Sequence, residues 1–248
     1  MDDLNTIPQL ETHPYNTLDI PPNTTLLIVG TAPPSRFSQP RSQHEGPRDG
    51  LDADFFYGSA DNMLWSYLKL AAKEPDFPEP GSDAAKRENT EAVMQEYLLR
   101  HRIWMHDVLQ TYVRKKDKPV TALDADIDLN DSRTTFMNFP AVLQTGAKIE
   151  RVVFTSVKTS DWFFGKVLGR CFPKKEAEAY RRLFLDADAK RKAKADTDAQ
   201  YTDEFCRTEF SGRTIRFHVA PSPSGSAGAS DDQWFSDIYR KILFEQKE

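Results

Sequence analysis

The chain has 248 residues, 33 Lys and Arg against 38 Asp and Glu, a formal net charge of −5 and 39% hydrophobic residues. That length suits one domain with a substantial core, and its mild acidity argues against broad nonspecific coating of nucleic acid, though not against a local basic groove. No apolar run approaches the roughly 20 residues of a membrane span, and the only cysteines, Cys171 and Cys206, exclude a four-cysteine zinc or iron–sulfur site within the chain and fit a reducing compartment.

Residues 1–23 are polar and proline-containing and read as a loosely packed lead-in. Their acidic start carries no signal-peptide pattern, so a cytosolic location is expected, nucleoid-associated in a bacterial cell. Residues 25–30 read as a short buried strand ended by Gly30. Residues 31–54 form a long loop with several prolines and glycines, and loops of that length are often functional. Leu64, Trp65, Leu68 and Ala72 have helical spacing, with Ser59 or Asp61 as the cap. A proline-rich linker covers 74–83 and an exposed helix 84–100. Residues 103–113 fit strand or helix by pattern; a strand running into a loop at Asp107 is the reading taken. Residues 114–133 are polar, and Phe136 to Leu143 suggest a short helix. A strand at 151–156 precedes a helix around 160–170.

Residues 175–204 mix charge with alanine and read as a solvated helix. The cluster Lys190-Arg191-Lys192-Ala193-Lys194 is most simply its solvated face, with DNA contact or a nuclear signal as the minority reading. The last strand is 213–219, and an amphipathic helix closes the chain at 231–245. Strands alternating with helices imply a mostly parallel sheet with helices on both faces.

Two loops stand out, Gly30–Arg36 and Ala220–Gly228. Each follows an apolar strand and is rich in proline and small residues. In open α/β sheets ligands bind outside the carboxyl ends of the strands, so both loops are expected to open into one cleft. Ordinary turn chemistry is the competing account of each.

Five segments in order resemble the uracil-DNA glycosylase superfamily: Gly30-Thr31-Ala32-Pro33-Pro34, Phe56 to Trp65, Ile103 to Leu109, Val153-Phe154-Thr155-Ser156, and Ala220-Pro221-Ser222-Pro223-Ser224. The chain is most similar to the branch of hypoxanthine-DNA and mismatch-specific glycosylases. The likeness covers about 25–70, 103–130 and 150–240 and skips 74–100. It implies one domain over 1–248, a three-layer α/β/α fold with a central four-stranded, mostly parallel sheet, and hydrolysis of the bond between a damaged or mismatched base and deoxyribose. Such enzymes flip the nucleotide into a pocket, need no metal or organic cofactor, and act here as an expected monomer on DNA.

The resemblance also implies roles for particular residues. Many members carry Asp or Asn after the first strand to position water; this chain has Ala32. Asn62 matches the amide that replaces it in the hypoxanthine branch, with Asp61 as the alternative and helix capping as the structural account of either. Thr31, Ala32, Phe56, Tyr57, Asp107, Thr155 and Ser156 would line the base pocket. Pro33, Ser35, Arg36, Arg41, Arg48, Ser222, Ser224, Gly225 and Ser226 would face the DNA backbone. Asp107 stands where related uracil enzymes carry an asparagine, and an ionised carboxylate only accepts hydrogen bonds. It would repel a uracil carbonyl and favour a base presenting N–H. A cap, or a salt bridge to Arg100, Arg102 or Arg114, is the competing reading. One of Phe56 and Tyr57 is expected in the core. Ala220 stands where some members carry a catalytic histidine, and His218 reads as a core residue. The losses at Ala32 and Ala220 keep open a non-catalytic base-binding module of the same fold. An unrelated α/β enzyme acting on a nucleotide is a third possibility.

Overall fold

The run Leu26-Leu27-Ile28-Val29-Gly30 is buried at every position, as a strand covered on both faces must be. The structure is a computed structural model that describes residues 9–39, 51–74, 77, 79–81, 90–115, 122–145, 147–224 and 232–245. In chain order it contains β1 (Leu10–Thr12), β2 (Leu26–Gly30), α1 (Ser35–Ser38), α2 (Leu64–Ala72), α3 (Thr90–Arg100), β3 (Ile103–Asp107), β4 (Leu109–Val113), β5 (Thr135–Phe136) and α4 (Phe139–Gln144). There follow β6 (Arg151–Phe154), α5 (Val157–Trp162), α6 (Leu168–Cys171), α7 (Lys174–Lys192), α8 (Ala199–Thr202), β7 (Cys206–Phe210), β8 (Arg213–Val219) and α9 (Asp232–Leu243).

The main sheet has the order β3-β2-β6-β8-β7. The first three pairings are parallel and β7 joins β8 antiparallel. The sheet therefore has five strands, not the expected four. The added strand, β7, is half exposed, and its sequence Cys-Arg-Thr-Glu-Phe is too polar to announce itself. From β2 the chain steps one way to β3, and from β6 it steps the other way to β8. Parallel crossovers are right-handed, so the connections leaving β2 and β6 diverge to opposite faces. A crevice opens between the carboxyl ends of these neighbouring strands.

A second, three-stranded antiparallel sheet, β1-β4-β5, was not expected. The run 103–113 is strand throughout, but it breaks at Val108: β3 belongs to the large sheet and β4 to the small one. The lead-in is also corrected. β1 pairs with β4, and Glu11, His13, Tyr15 and Ile20 are buried. Alternation over three residues is too short a pattern to signal a strand.

Helix ends differ from expectation for local reasons. α2 begins at Leu64, so neither Ser59 nor Asp61 caps it; Asn62 Oδ1 accepts the Leu64 N–H at 2.9 Å instead. Phe136 lies in β5, and α4 starts at Phe139 behind an Asn138 cap. The helix expected near 160 starts at Val157, capped by Ser156, and contains a π turn over Phe163–Val167. That turn packs Phe163 and Phe164 onto Phe154 of β6 and Phe217 of β8, with ring centroids 5.0–6.0 Å apart. The stretch 175–204 divides into α7 and α8.

Candidate functional site

A cavity of about 400 Å³ opens at the carboxyl ends of the parallel strands. Thr31 to Phe37 leave β2 into it, Asp107 ends β3 at its wall, and Thr155 to Thr159 enter it after β6. Phe55 to Asn62, ahead of α2, form a further side, and Ser222, Pro223 and Ser224 after β8 complete the rim. His13 and Tyr15 close it from behind β1, and Ala122 to Ala125 cover it from the turn at Asp124–Asp126. Segments separated by most of the chain thus share one crevice.

The loop after β8 is joined to the segment ahead of α2. Met63 N–H donates to the Pro223 carbonyl at 2.9 Å, and Asn62 and Ser224 form an antiparallel bridge. The second loop is held from below by Tyr239, whose hydroxyl donates to the Pro221 carbonyl at 3.1 Å.

Tyr57 and Asp107 form the inner wall. Tyr57 has φ +54°, left-handed backbone that a non-glycine residue adopts at a cost of about 1–2 kcal/mol. Its hydroxyl lies 3.4 Å from Asp107 Oδ1 and 3.3 Å from Thr155 Oγ1. Burial, and next the Asp107 charge, hold the phenol pKa well above its usual value, so it stays a neutral donor. The ring fits because residue 30 is glycine: a Cβ there would lie 1.8 Å from the Tyr57 hydroxyl and 2.5 Å from Asp107 Oδ1. Gly30→Ala is expected to push Tyr57 out of the cavity. Loss of the buried-tyrosine fluorescence signature, with the overall circular dichroism retained, would report this; an unchanged signature would refute it.

Asp107 is 5% exposed and has none of the three arginine partners weighed from the sequence. Its partner is His13. The His13 Nδ1 accepts from the backbone N–H groups of Tyr15 and Asn16, both at 3.1 Å. The ring proton therefore sits on Nε2 and is donated to Asp107 Oδ2 at 2.8 Å. Asn16 holds the Asp107 backbone as well: its Oδ1 accepts the Asp107 N–H, and its Nδ2 donates to the carbonyls of Asp107 and Leu109. Among the described residues Asp107 Oδ1 has only the long Tyr57 contact, so it keeps acceptor capacity on the cavity side.

Of the two neighbours weighed for catalysis, Asn62 is half-buried and lines the cavity, while the Asp61 side chain is 70% exposed at its rim, 3.6 Å from the Arg36 guanidinium. Phe55 and Phe56 are both buried, and both border the cavity. Thr31, Ala32, Pro33, Thr155, Ser156, Ser222 and Ser224 all border the cavity. Ser35 is buried at the start of α1 and does not. Arg36 borders it, but its Nε and Nη2 grip both oxygens of Asp52 at 2.7 and 3.2 Å, and Nη2 reaches Ser59 Oγ at 2.6 Å. Arg36 thus ties the first loop to the segment ahead of α2. Arg41, Arg48, Gly225 and Ser226 lie outside the described residues.

A buried ion pair fastens the first loop from the small sheet. Arg114 Nε meets Glu11 Oε1 at 2.9 Å, and Arg114 Nη2 donates to the Pro33 carbonyl at 2.9 Å. Ser38 and Gln39 donate to the same Glu11 carboxylate.

Four residues at or behind the site were missed: His13, Asn16, Asp124 and Lys158. His13 and Asn16 lay in the segment read as a loose lead-in. Asp124 sits in a polar stretch, Thr121 to Asp128, where several aspartates look alike; only Asp124 receives the Thr31 hydroxyl, at 2.8 Å. Lys158 projects from α5 beside Trp162. His218 is fully buried, and burial pushes its pKa down to about 4, as a core histidine requires.

Among the described residues no group of three or more His, Cys, Asp and Glu side chains is placed to hold a metal ion, and no helix is long and apolar enough to cross a membrane. No protein-family model matches the chain, and no curated protein matches it. Among solved structures it is similar to a candidate uracil DNA glycosylase from Methanosarcina acetivorans, determined in solution by NMR, with 16% identity and a TM-score of 0.34 over 66% of this chain and 90% of that one.

Proposed function

We propose that the chain, as one domain, is a monofunctional DNA-base glycosylase of the uracil-DNA glycosylase superfamily, closest to the hypoxanthine-DNA and mismatch-specific branch. The observation that carries this reading is convergence. Five segments that resemble the superfamily in sequence meet around one cavity of about 400 Å³, the scale of a site for a single small ligand.

A base flipped out of DNA enters that cavity and packs against Phe56 and Tyr57, a contact worth roughly 1–3 kcal/mol per base. Asp107, oriented by His13, accepts an N–H from the edge of the base. Asn62 orients the water that attacks C1′, and the bond to the base breaks through an oxocarbenium-like state. Ser222 and Ser224, with the first loop, meet the DNA backbone. Arg36 acts by bracing that loop, through Asp52, as much as by touching phosphate. The protein acts as a monomer.

Release of free base from oligonucleotides carrying uracil, hypoxanthine, xanthine, thymine mismatches, or alkylated or oxidised bases tests the proposal. Release from at least one is expected. Asp107→Asn should change which base is released, because the amide donates as well as accepts. Ala32 and Ala220, which lack the groups some relatives use, favour one second reading, a module that binds a flipped base without cutting. DNA binding without release of any base, from duplex or single strand, would select it.

A further inference from the structure

The first loop carries no acid or amide, yet its only hydroxyl inside the cavity points at a carboxylate supplied from elsewhere. Thr31, the first residue after the buried β2, donates its Oγ1 hydrogen to Asp124 Oδ1 at 2.8 Å. Asp124 belongs to the turn at Asp124–Asp126, about ninety residues downstream, and borders the same cavity as Asn62 and Asp107. We propose that Asp124 is a catalytic carboxylate of this site, taking over from a separate turn the role that an acid in the first loop would have served. This inference rests on the glycosylase reading and adds a residue to it.

The step balances as follows. The water held by Asn62 forms a bond to C1′ as the bond from C1′ to the base nitrogen breaks. That electron pair leaves with the base, the water proton passes to the Asp124 carboxylate, and solvent protonates the departed base. Asp107 cannot do the same work, because one of its oxygens already holds the His13 proton donor and it meets the edge of the base.

The charges facing Asp124 come from three elements. Lys158 of α5 and Arg114 beyond β4 favour its ionised form, as does the Thr31 hydroxyl; Asp107 at the end of β3 opposes it, and Tyr57 stands close but neutral. Burial outweighs the rest and raises the carboxyl pKa above the usual value. The two carboxyls face one cavity from separate elements, Asp107 held by His13 and Asp124 by Thr31. A base with a raised pKa loses activity as pH falls through that pKa, so the rate should show an acid limb above the range of an ordinary aspartate.

The test measures single-turnover base release from pH 4 to 8 on the best substrate, for wild type, Asp124→Asn and Thr31→Val. Asp124→Asn keeps an oxygen for the Thr31 hydroxyl, so a purely structural Asp124 would survive the change. The expected result is a loss of at least about 10²-fold at neutral pH, with the acid limb gone and DNA affinity retained. Thr31→Val, which removes a hydrogen bond favouring the ionised form, should move the acid limb to higher pH even where Asp124→Asn proves unstable. A rate within about threefold of wild type in Asp124→Asn, or an unmoved limb in Thr31→Val, overturns the assignment and leaves the glycosylase reading standing. A wild-type protein that releases no base overturns both.

Discussion

Replacing Asn62 with alanine should lower base release at least about 10²-fold on the best substrate, the usual order for one positioned catalytic group. DNA affinity should change little, because a group that orients the attacking water acts chiefly in the transition state. The structure gives Asn62 a second task that must be separated from the first. Its Oδ1 accepts the Leu64 N–H at the start of α2, and losing that bond costs about 1 kcal/mol of stability. Asn62→Asp retains the acceptor for Leu64 and removes the amide donor. A rate restored by Asp with stability would show that Asn62 only shapes the helix start. A rate lost in Ala and altered in Asp, both folded, would place Asn62 in the chemistry. If Asn62→Ala keeps full rate while Asp61→Ala loses it, the role moves one residue to the exposed carboxylate.

Arg114→Ala should destabilise the fold by about 3–5 kcal/mol, since it strands the fully buried Glu11 carboxylate without its cation. The midpoint of urea unfolding measures this directly. The loss should be smaller when Glu11 and Arg114 are both replaced by leucine, because replacing a buried ion pair by apolar side chains is often neutral. Equal losses in the single and double variants would mean that the pair is not coupled. The effect should also reach the site, because Arg114 holds the Pro33 carbonyl in the first loop.

How much of this was legible in sequence depended on the range of the signal. β2 and β6 were readable because buried parallel strands are nearly continuous apolar runs, and β8 because Ile215, Phe217 and Val219 recur at every second position. The convergence of the Thr31 and Ser222 loops followed from the general rule that such strands carry ligands at their carboxyl ends. Asn62, Tyr57 and Asp107 could be picked out only through the likeness of their segments to a family. What stayed hidden was tertiary. The partner of Asp107 is a histidine 94 residues away in a segment without periodicity, and no local pattern separates it from the nearby arginines. Asp124 is one of several aspartates in a polar stretch until Thr31 is seen to reach it. β7 pairs at the sheet edge, where half of its residues face outward and dilute the apolar signal.

The small sheet also bears on how the chain tolerates shortening. A fragment beginning at residue 24 would keep every strand of the large sheet, and by hydropathy it would look like the whole folding unit. It would nonetheless lose β1, leaving the backbone of Leu109–Val113 as an open edge able to pair with another molecule. The same cut would strip Arg114 of the Glu11 carboxylate and Asp107 of its imidazole. Such a fragment should be prone to self-association in proportion to its concentration, while the longer chain should not.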